Sequence, residues 1–324
     1  MFKALITTVP FGDKNRTPID LLESSGIDYL INPLNKKLTE DELSEMVQDF
    51  DVIIAGTEKI SSKVMDKAPK LKMISRVGIG LDGVDLLAAE ERGISVSYTP
   101  DAPTSAVAEL TIGLMLSLLR STHVSNSNMH EGSWLRIFGR RLAEVKIGII
   151  GVGRVGTTLL NHFKGFDIGE VLVNDIEPNI SLNDKFNINW VDKNKIYQDA
   201  DLISIHTPLT SKTNNMIQRK QLLSMKKDAV LINTARGGII NEHDLYDVML
   251  KGHLSGVAID VFNQEPYNGK LAEIKRCLLT SHMGSMSIDC RTNMEIEATK
   301  EVIRFFKSES LKNRVPLDEY EMQR

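Results

Sequence analysis

The sequence predicts an α/β protein built on mostly parallel sheets, and three observations carry the prediction. Short apolar runs of strand length alternate with helical stretches through both halves of the chain, the rhythm that lays helices over a parallel sheet. At 324 residues the chain exceeds one ordinary core, so two domains are expected. A glycine-rich turn of the strand–turn–helix kind stands near the middle of the chain, at residues 151–156, and not at its start.

Taken in order, Phe2 to Val9 reads as a strand, Pro18 to Ser25 as a helix, and Asp28 to Ile31 as a short strand. Thr39 to Val47 reads as a helix opened by Thr39 with Glu42 three residues on, the capping-box spacing. Asp51 to Ala55, Met73 to Val77 and Ser95 to Ser97 follow as strands, separated by helices at Ser61 to Ala68 and Leu86 to Arg92. Pro100 and Pro103 break this rhythm and mark a domain crossing. A long apolar helix, Ser105 to Leu119, comes next, and then a polar excursion over 121–143 whose simplest uses are a subunit-clasping arm or a solvated loop. The second half supplies strands at Leu202 to Ile205, Val230 to Asn233, Gly256 to Asp260 and Leu278 to Thr280, with helices at Lys220 to Ser224, Glu242 to Lys251 and Met294 to Lys307. The charged tail after Ser308 is expected to fray.

The segment Lys146 to Asp175 organises the rest. Ile147, Ile149 and Ile150 form an apolar run suited to a strand buried on both faces, and it stops at Gly151. Gly151, Gly153 and Gly156 then make a G-x-G-x-x-G. The first permits a tight turn, the second lets backbone approach a pyrophosphate, and the third lets the next helix sit close to the sheet. The helix N-terminus turns unpaired N–H groups toward an anion. After a second apolar strand, Val171 to Val173, Asp175 stands roughly 20 residues past the last glycine, where an acid accepts ribose hydroxyls and repels a ribose phosphate. The reading is an NAD site.

Composition excludes other classes. A formal net charge of -4 leaves no basic excess for a nucleic-acid or anionic-membrane partner. The longest apolar run, Ala108 to Leu119, is too short to span a bilayer, and the N-terminus shows no signal-peptide pattern. Cys277 and Cys290 read as free thiols of a reducing cytosol, so a cytoplasmic location is expected. No histidine pair has zinc-type spacing with an acid, so no metal is expected. His123 and His130 sit in the polar excursion, and His162, His243 and His253 on helix surfaces, while His206 ends a strand beside the cofactor.

Ligands of open parallel sheets bind beyond the C-terminal strand ends, and those ends carry the unusual residues here. Arg236, presented before a glycine pair, can fork onto a carboxylate or polarise a carbonyl. His282 follows another strand, and Glu265 is a candidate partner that would fix its tautomer and make it a general acid. Residues Arg76, Val77 and Gly78 end a strand in a glycine loop, read either as a backbone nest for a carboxylate or as a plain turn.

With these residues in place the chain resembles the D-isomer-specific 2-hydroxyacid dehydrogenases. The resemblance runs from about Arg76 to Ser285 through RVGIGLDGVD, TSAVAELTIGLML, GIIGVGRVG, HTPLT, INTARGG, DVFNQEP and SHMGS. It implies a Rossmann NAD-binding domain, residues 102–286, inserted into a flavodoxin-like substrate domain made of residues 1–101 and 287–324. It implies Arg236 as the substrate-orienting arginine, His282 as the proton donor or acceptor, and Glu265 as the acid that holds it. Val77 and Gly78 would lie in the loop that receives the substrate carboxylate. Arg154 and Val155 would meet the pyrophosphate, Asp175 the ribose, Thr207 and Thr234 the groove, and Asp260 the nicotinamide amide. The family also implies a homodimer clasped through the NAD domain.

The implied reaction moves a hydride between nicotinamide and a small 2-hydroxy or 2-oxo acid. Arg76 resembles the arginine that phosphoglycerate dehydrogenases carry before the same loop, where a cation suits 3-phosphoglycerate; read otherwise, it serves any carboxylate or a structural ion pair. A chain of this length has no room for the regulatory domains many of those enzymes append, so a glyoxylate or hydroxypyruvate reductase is a rival. An NAD-sensing corepressor is the alternative from a different class. The sequence departs from the family's common pattern at Gly83, where asparagine is usual, at Ser281, where proline often precedes the histidine, and at Glu144, where glycine is common.

Overall fold

The computed structural model describes residues 2–324, and the chain divides into two compact units, one running to Pro103 and resuming over Ser285–Arg324, the other Thr104–Gly284. Each unit holds one parallel sheet.

In the first unit, strands β1 (Lys3–Ile6), β2 (Asp28–Ile31), β3 (Val52–Ala55), β4 (Met73–Arg76) and β5 (Ser95–Ser97) lie in the order β2-β1-β3-β4-β5, every neighbouring pair parallel. This is the doubly wound order of flavodoxin-like sheets, with its switch point between β1 and β3. The strands are apolar because both faces are covered: Val52, Ile53, Ile54 and Ala55 are all fully buried. Helix Glu40–Met46 starts where the sequence says it should, with the Thr39 hydroxyl accepting from the Glu42 amide and the Glu42 carboxylate returning to the Thr39 amide.

The second unit carries β6 (Ile147–Ile150), β7 (Val171–Asn174), β8 (Ile188–Trp190), β9 (Leu202–Ile205), β10 (Val230–Asn233), β11 (Gly256–Ile259) and β12 (Cys277–Leu279) in the order β12-β11-β10-β9-β6-β7-β8. All pairs are parallel, and the order reverses direction between β6 and β9, where a doubly wound sheet opens its ligand crevice. Helix Thr104–Leu119 packs on this sheet through Leu114, Met115 and Leu118.

Four expectations need correction. The excursion contains a helix, Thr122–His130, which buries none of its residues and so gave no amphipathic signal. The last long helix begins at Ile288, six residues before the expected Met294, because the Ser287 hydroxyl caps it by accepting from the Cys290 amide. The tail packs: Val315 and Tyr320 are buried in the first unit's core, and the Val315 amide donates to Val96 O at 3.0 Å. His253 lies in the turn beyond helix Glu242–Leu250, with Nε2 3.0 Å from Met225 O. Among the described residues no helix is long and apolar enough to cross a membrane, and no group of three or more His, Cys, Asp or Glu is placed to hold a metal ion.

Candidate active site

The second unit gathers its unusual residues at the C-terminal ends of β6, β9, β10, β11 and β12. At the end of β6, Gly151 adopts φ +97°, and a Cβ there would lie 2.5 Å from His206 O, so the turn demands glycine. A Cβ on Gly156 would lie 2.2 Å from Gly151 O, which lets helix Arg154–Phe163 begin hard against the turn. Gly153 is different: no atom comes within 4 Å of an added Cβ, and both Gly153 and Arg154 are exposed. The turn therefore opens outward where the helix presents its unpaired N–H groups.

Asp175, one residue beyond β7, is tied to this turn. Its Oδ2 accepts from the Val152 amide at 2.7 Å and its Oδ1 from the Glu177 amide at 3.1 Å. Past β9, the His206 ring sits 2.8 Å from Ser204 Oγ, and burial pushes its imidazolium down to about 4. The neighbouring Thr207 hydroxyl is buried without a partner among the described residues. An open glycine turn, a helix N-terminus, a fixed acid and an unsatisfied hydroxyl along one strand edge fit a dinucleotide.

Beyond β10 the Arg236 Nη1 donates to Ala235 O at 2.6 Å, so the guanidinium folds back over its own turn. Arg236 is half-buried. A Cβ on the next residue, Gly237, would lie 2.2 Å from the carbonyl carbon and oxygen of Phe262, so the β10 and β11 ends touch backbone to backbone. Glu265 follows on that β11 segment, and its Oε1 accepts from the Phe262 amide at 3.1 Å. His282 stands past β12 in a left-handed conformation, φ +51°. Its Nδ1 lies 3.0 Å from Glu265 Oε1 and 2.9 Å from Oε2. The two side chains are 34% and 21% exposed, enough for a small ligand to reach the ring. The structure thus joins Glu265 to His282 directly and places Arg236 on the adjoining strand end.

Two residues expected to face a cofactor are already engaged by the protein. Thr234 Oγ1 shares a 2.9 Å hydrogen bond with Thr111 Oγ1, on helix Thr104–Leu119. Asp260 is 1% exposed. Its Oδ1 accepts from Thr280 Oγ1 at 2.6 Å and the Met283 amide at 2.9 Å, and its Oδ2 from the Gly284 amide at 2.9 Å. The Asp260 carbonyl accepts from the His282 amide at 2.8 Å. Asp260 therefore builds the histidine's loop, a role with no local signature in the sequence. Thr111, Asn233 and Thr280 were missed for the same reason.

In the first unit, both amides of the expected nest are engaged within the chain. The Val77 amide donates to Ala55 O at 2.9 Å and the Gly78 amide to Thr99 Oγ1 at 2.8 Å, so neither remains for a ligand. Arg76 is buried, and its Nη1 donates to Val77 O at 2.6 Å, so this guanidinium helps fold the loop it precedes.

Residues 112–284 match the family model for the D-isomer specific 2-hydroxyacid dehydrogenase NAD binding domain. A glyoxylate reductase of Thermofilum pendens is 34% identical over 281 residues, covering 84% of this chain and 83% of that one. A D-3-phosphoglycerate dehydrogenase of Methanocaldococcus jannaschii is 35% identical over 285 residues, covering 85% of this chain but 54% of that one, so this chain spans about half that relative's length. The crystal structure of a Thermus thermophilus protein matches with a TM-score of 0.87 at 29% identity, over 97% of this chain and 100% of that one. The chain belongs to the D-isomer-specific 2-hydroxyacid dehydrogenases, NAD-dependent oxidoreductases.

Proposed function

We propose that this chain reduces a short, unphosphorylated 2-oxo acid of the glyoxylate or hydroxypyruvate kind, or oxidises the matching D-2-hydroxy acid, with Arg236, Glu265 and His282 as its catalytic residues. The observation that carries the reading is the Glu265–His282 pair, Nδ1 to carboxylate at 2.9 Å, beside the strand end that bears Arg236. The bound nicotinamide supplies or accepts the hydride. Everything else falls to the chain. With Nδ1–H committed to the Glu265 carboxylate, Nε2 is the nitrogen that gives its proton to the carbonyl oxygen in reduction, or takes one from the hydroxyl in oxidation. Arg236 forks onto the acid's carboxylate and polarises its carbonyl, so orientation and electrostatics lower the barrier. Gly151, Gly153, Gly156, Arg154 and Val155 cradle the pyrophosphate, Asp175 takes the ribose hydroxyls, and Thr207 offers its unpartnered hydroxyl to the dinucleotide.

The preference for an unphosphorylated acid rests on Arg76. A phosphate reader would present its guanidinium, whereas this one is 8% exposed and donates to the adjacent carbonyl. The deciding experiment is a panel of glyoxylate, hydroxypyruvate and pyruvate with NADH, and of 3-phosphoglycerate, glycerate and lactate with NAD. Reduction of glyoxylate or hydroxypyruvate that is lost in His282→Ala and falls about 100- to 1,000-fold, to a still measurable rate, in Arg236→Ala is expected. Faster turnover of 3-phosphoglycerate would overturn the substrate, and a panel with no turnover would favour a cofactor-sensing binding protein.

We also infer a homodimer closed through the NAD-binding unit. Trp134, Leu135 and Phe138 are 81%, 58% and 103% exposed on the excursion, an apolar display that a monomer has no use for. Light scattering should give twice the 36.2 kDa chain mass, and a monomer would refute it. The two free, buried cysteines suit a reducing compartment such as the cytoplasm.

A further inference from the structure

We infer that Asn233 is a positioning residue for Arg236, acting through the turn that joins them; the inference rests on the reading of Arg236 given above. Asn233 is the last residue of β10, at 2% exposure, where the sheet ladder ends and the chain must turn outward. Its carboxamide spans that turn. Oδ1 accepts from the Ala235 amide at 3.0 Å, and Nδ2 donates to Arg236 O at 2.8 Å. One planar group thus closes both halves of the four-residue turn 233–236, and the oxygen and nitrogen assignments are each fixed by the main-chain group they face.

The downstream side is held as firmly. Gly237 rests on the backbone of Phe262 and Asn263, with no room for a Cβ, and Gly238 takes φ +82°. Arg236 is therefore clamped between an amide bridge before it and a backbone contact after it. Its guanidinium adds the bond to Ala235 O, the carbonyl of the residue whose N–H Asn233 holds. A guanidinium that must meet both a carboxylate and a carbonyl tolerates little angular error, because displacements near 1 Å cost about 100-fold in rate.

Side-chain chemistry explains why an asparagine is needed here. Serine or threonine would be too short to bridge an amide and a carbonyl on opposite sides of the turn. Aspartate could accept from the Ala235 amide but would set a carboxylate oxygen against Arg236 O, and would place a buried charge that draws the guanidinium inward. An apolar residue would leave a buried donor and a buried acceptor unpaired. The bland alternative is that Asn233 only stabilises the strand end. The two roles differ in one respect: a positioning residue loses its importance once the residue it positions is gone.

The test is a double-mutant cycle. Asn233→Ala, Asn233→Asp, Arg236→Ala and both double variants are assayed with NADH and glyoxylate, and NADH affinity is read separately by fluorescence titration. Asn233→Ala is expected to lower kcat/KM about 10- to 100-fold while NADH affinity stays within about twofold, and to cost less than about threefold on the Arg236→Ala background. Equal losses on both backgrounds, or a fall in NADH affinity as large as the fall in kcat/KM, would overturn the inference and leave Arg236 as assigned. Wild-type rates in Arg236→Ala would instead sink the site reading, and this inference with it. Should Asn233→Ala fail to fold, Asn233→Asp keeps the bond to the Ala235 amide and must show the same dependence on Arg236.

Discussion

Replacing Glu265 by Gln removes one charge from the candidate site and little else. In the native chain the carboxylate holds His282 Nδ1 with both oxygens, at 2.9 and 3.0 Å, and Oε1 also accepts from the Phe262 amide at 3.1 Å. A glutamine carbonyl can still accept from Nδ1–H and from that amide, so ring orientation is largely kept. What is lost is the attraction between a carboxylate and an imidazole that is charged before or after proton transfer. Hydrogen bonds to charged groups contribute about 1.5–3 kcal/mol, roughly twice neutral ones, so the charge itself accounts for about 1–2 kcal/mol at these half-buried side chains. At 1.36 kcal/mol per tenfold, kcat in Glu265→Gln falls about 5- to 30-fold. Glu265→Ala also frees the ring to rotate and leaves the Phe262 amide unpaired, so its loss is larger still. The assay is NADH absorbance at saturating cofactor, with thermal melting to confirm that the variants fold. Wild-type kcat within twofold for both variants, alongside an inactive His282→Ala, would show that the acid does not serve the histidine.

Two further outcomes are expected. Asp175→Ala should lower the ratio of kcat/KM with NADH to that with NADPH by about 5- to 30-fold, since a fixed carboxylate beside a ribose phosphate costs about 1–2 kcal/mol; an unchanged ratio would place the selector elsewhere. His206 supplies the pH prediction. Its folded value of about 4 lies below the ordinary 6.5, so the unfolded chain binds more protons between those values. The stability from keeping this ring neutral is complete above pH 6.5 and declines as pH falls toward 4, by up to about 2 kcal/mol at pH 5. Urea titrations at pH 7 and pH 5 should show the loss in the native chain and a smaller one in His206→Gln, whose amide can keep the bond to Ser204; an equal loss in both would exonerate the histidine.

Strands and caps were legible because their causes are local. Val52 to Ala55 and Val230 to Ile232 are apolar on successive positions because both faces of each strand are covered, and Thr39 announces its helix through a partner three residues away. The helix Thr122–His130 and the tail escaped because neither has a local cause: one has no fully buried residue, and the other is held by partners far away in the chain, with Val315 and Tyr320 in the core and Gln323 Nε2 donating to Val84 O at 3.0 Å. The candidate site divides along the same line. Sequence placed Arg236, Asp260, Thr234, Glu265 and His282 on one rim, because chemically costly residues at strand ends stand out in a single pass. It could not sort them, since the sorting depends on partners far away in the chain, such as Thr111 for Thr234 or Thr280 for Asp260. Burial does sort them. Asn233, Thr234 and Asp260 are 2%, 6% and 1% exposed and spend their polar atoms on the protein. Arg236, Glu265 and His282 stay half-buried. A parallel sheet leaves more polar main-chain groups at its C-terminal edge than one small acid can satisfy. Some polar side chains on that rim must therefore be consumed in closing the turns before the others can be held steady for a ligand, and in this chain the consumed set is the scaffold on which the proposed chemistry depends.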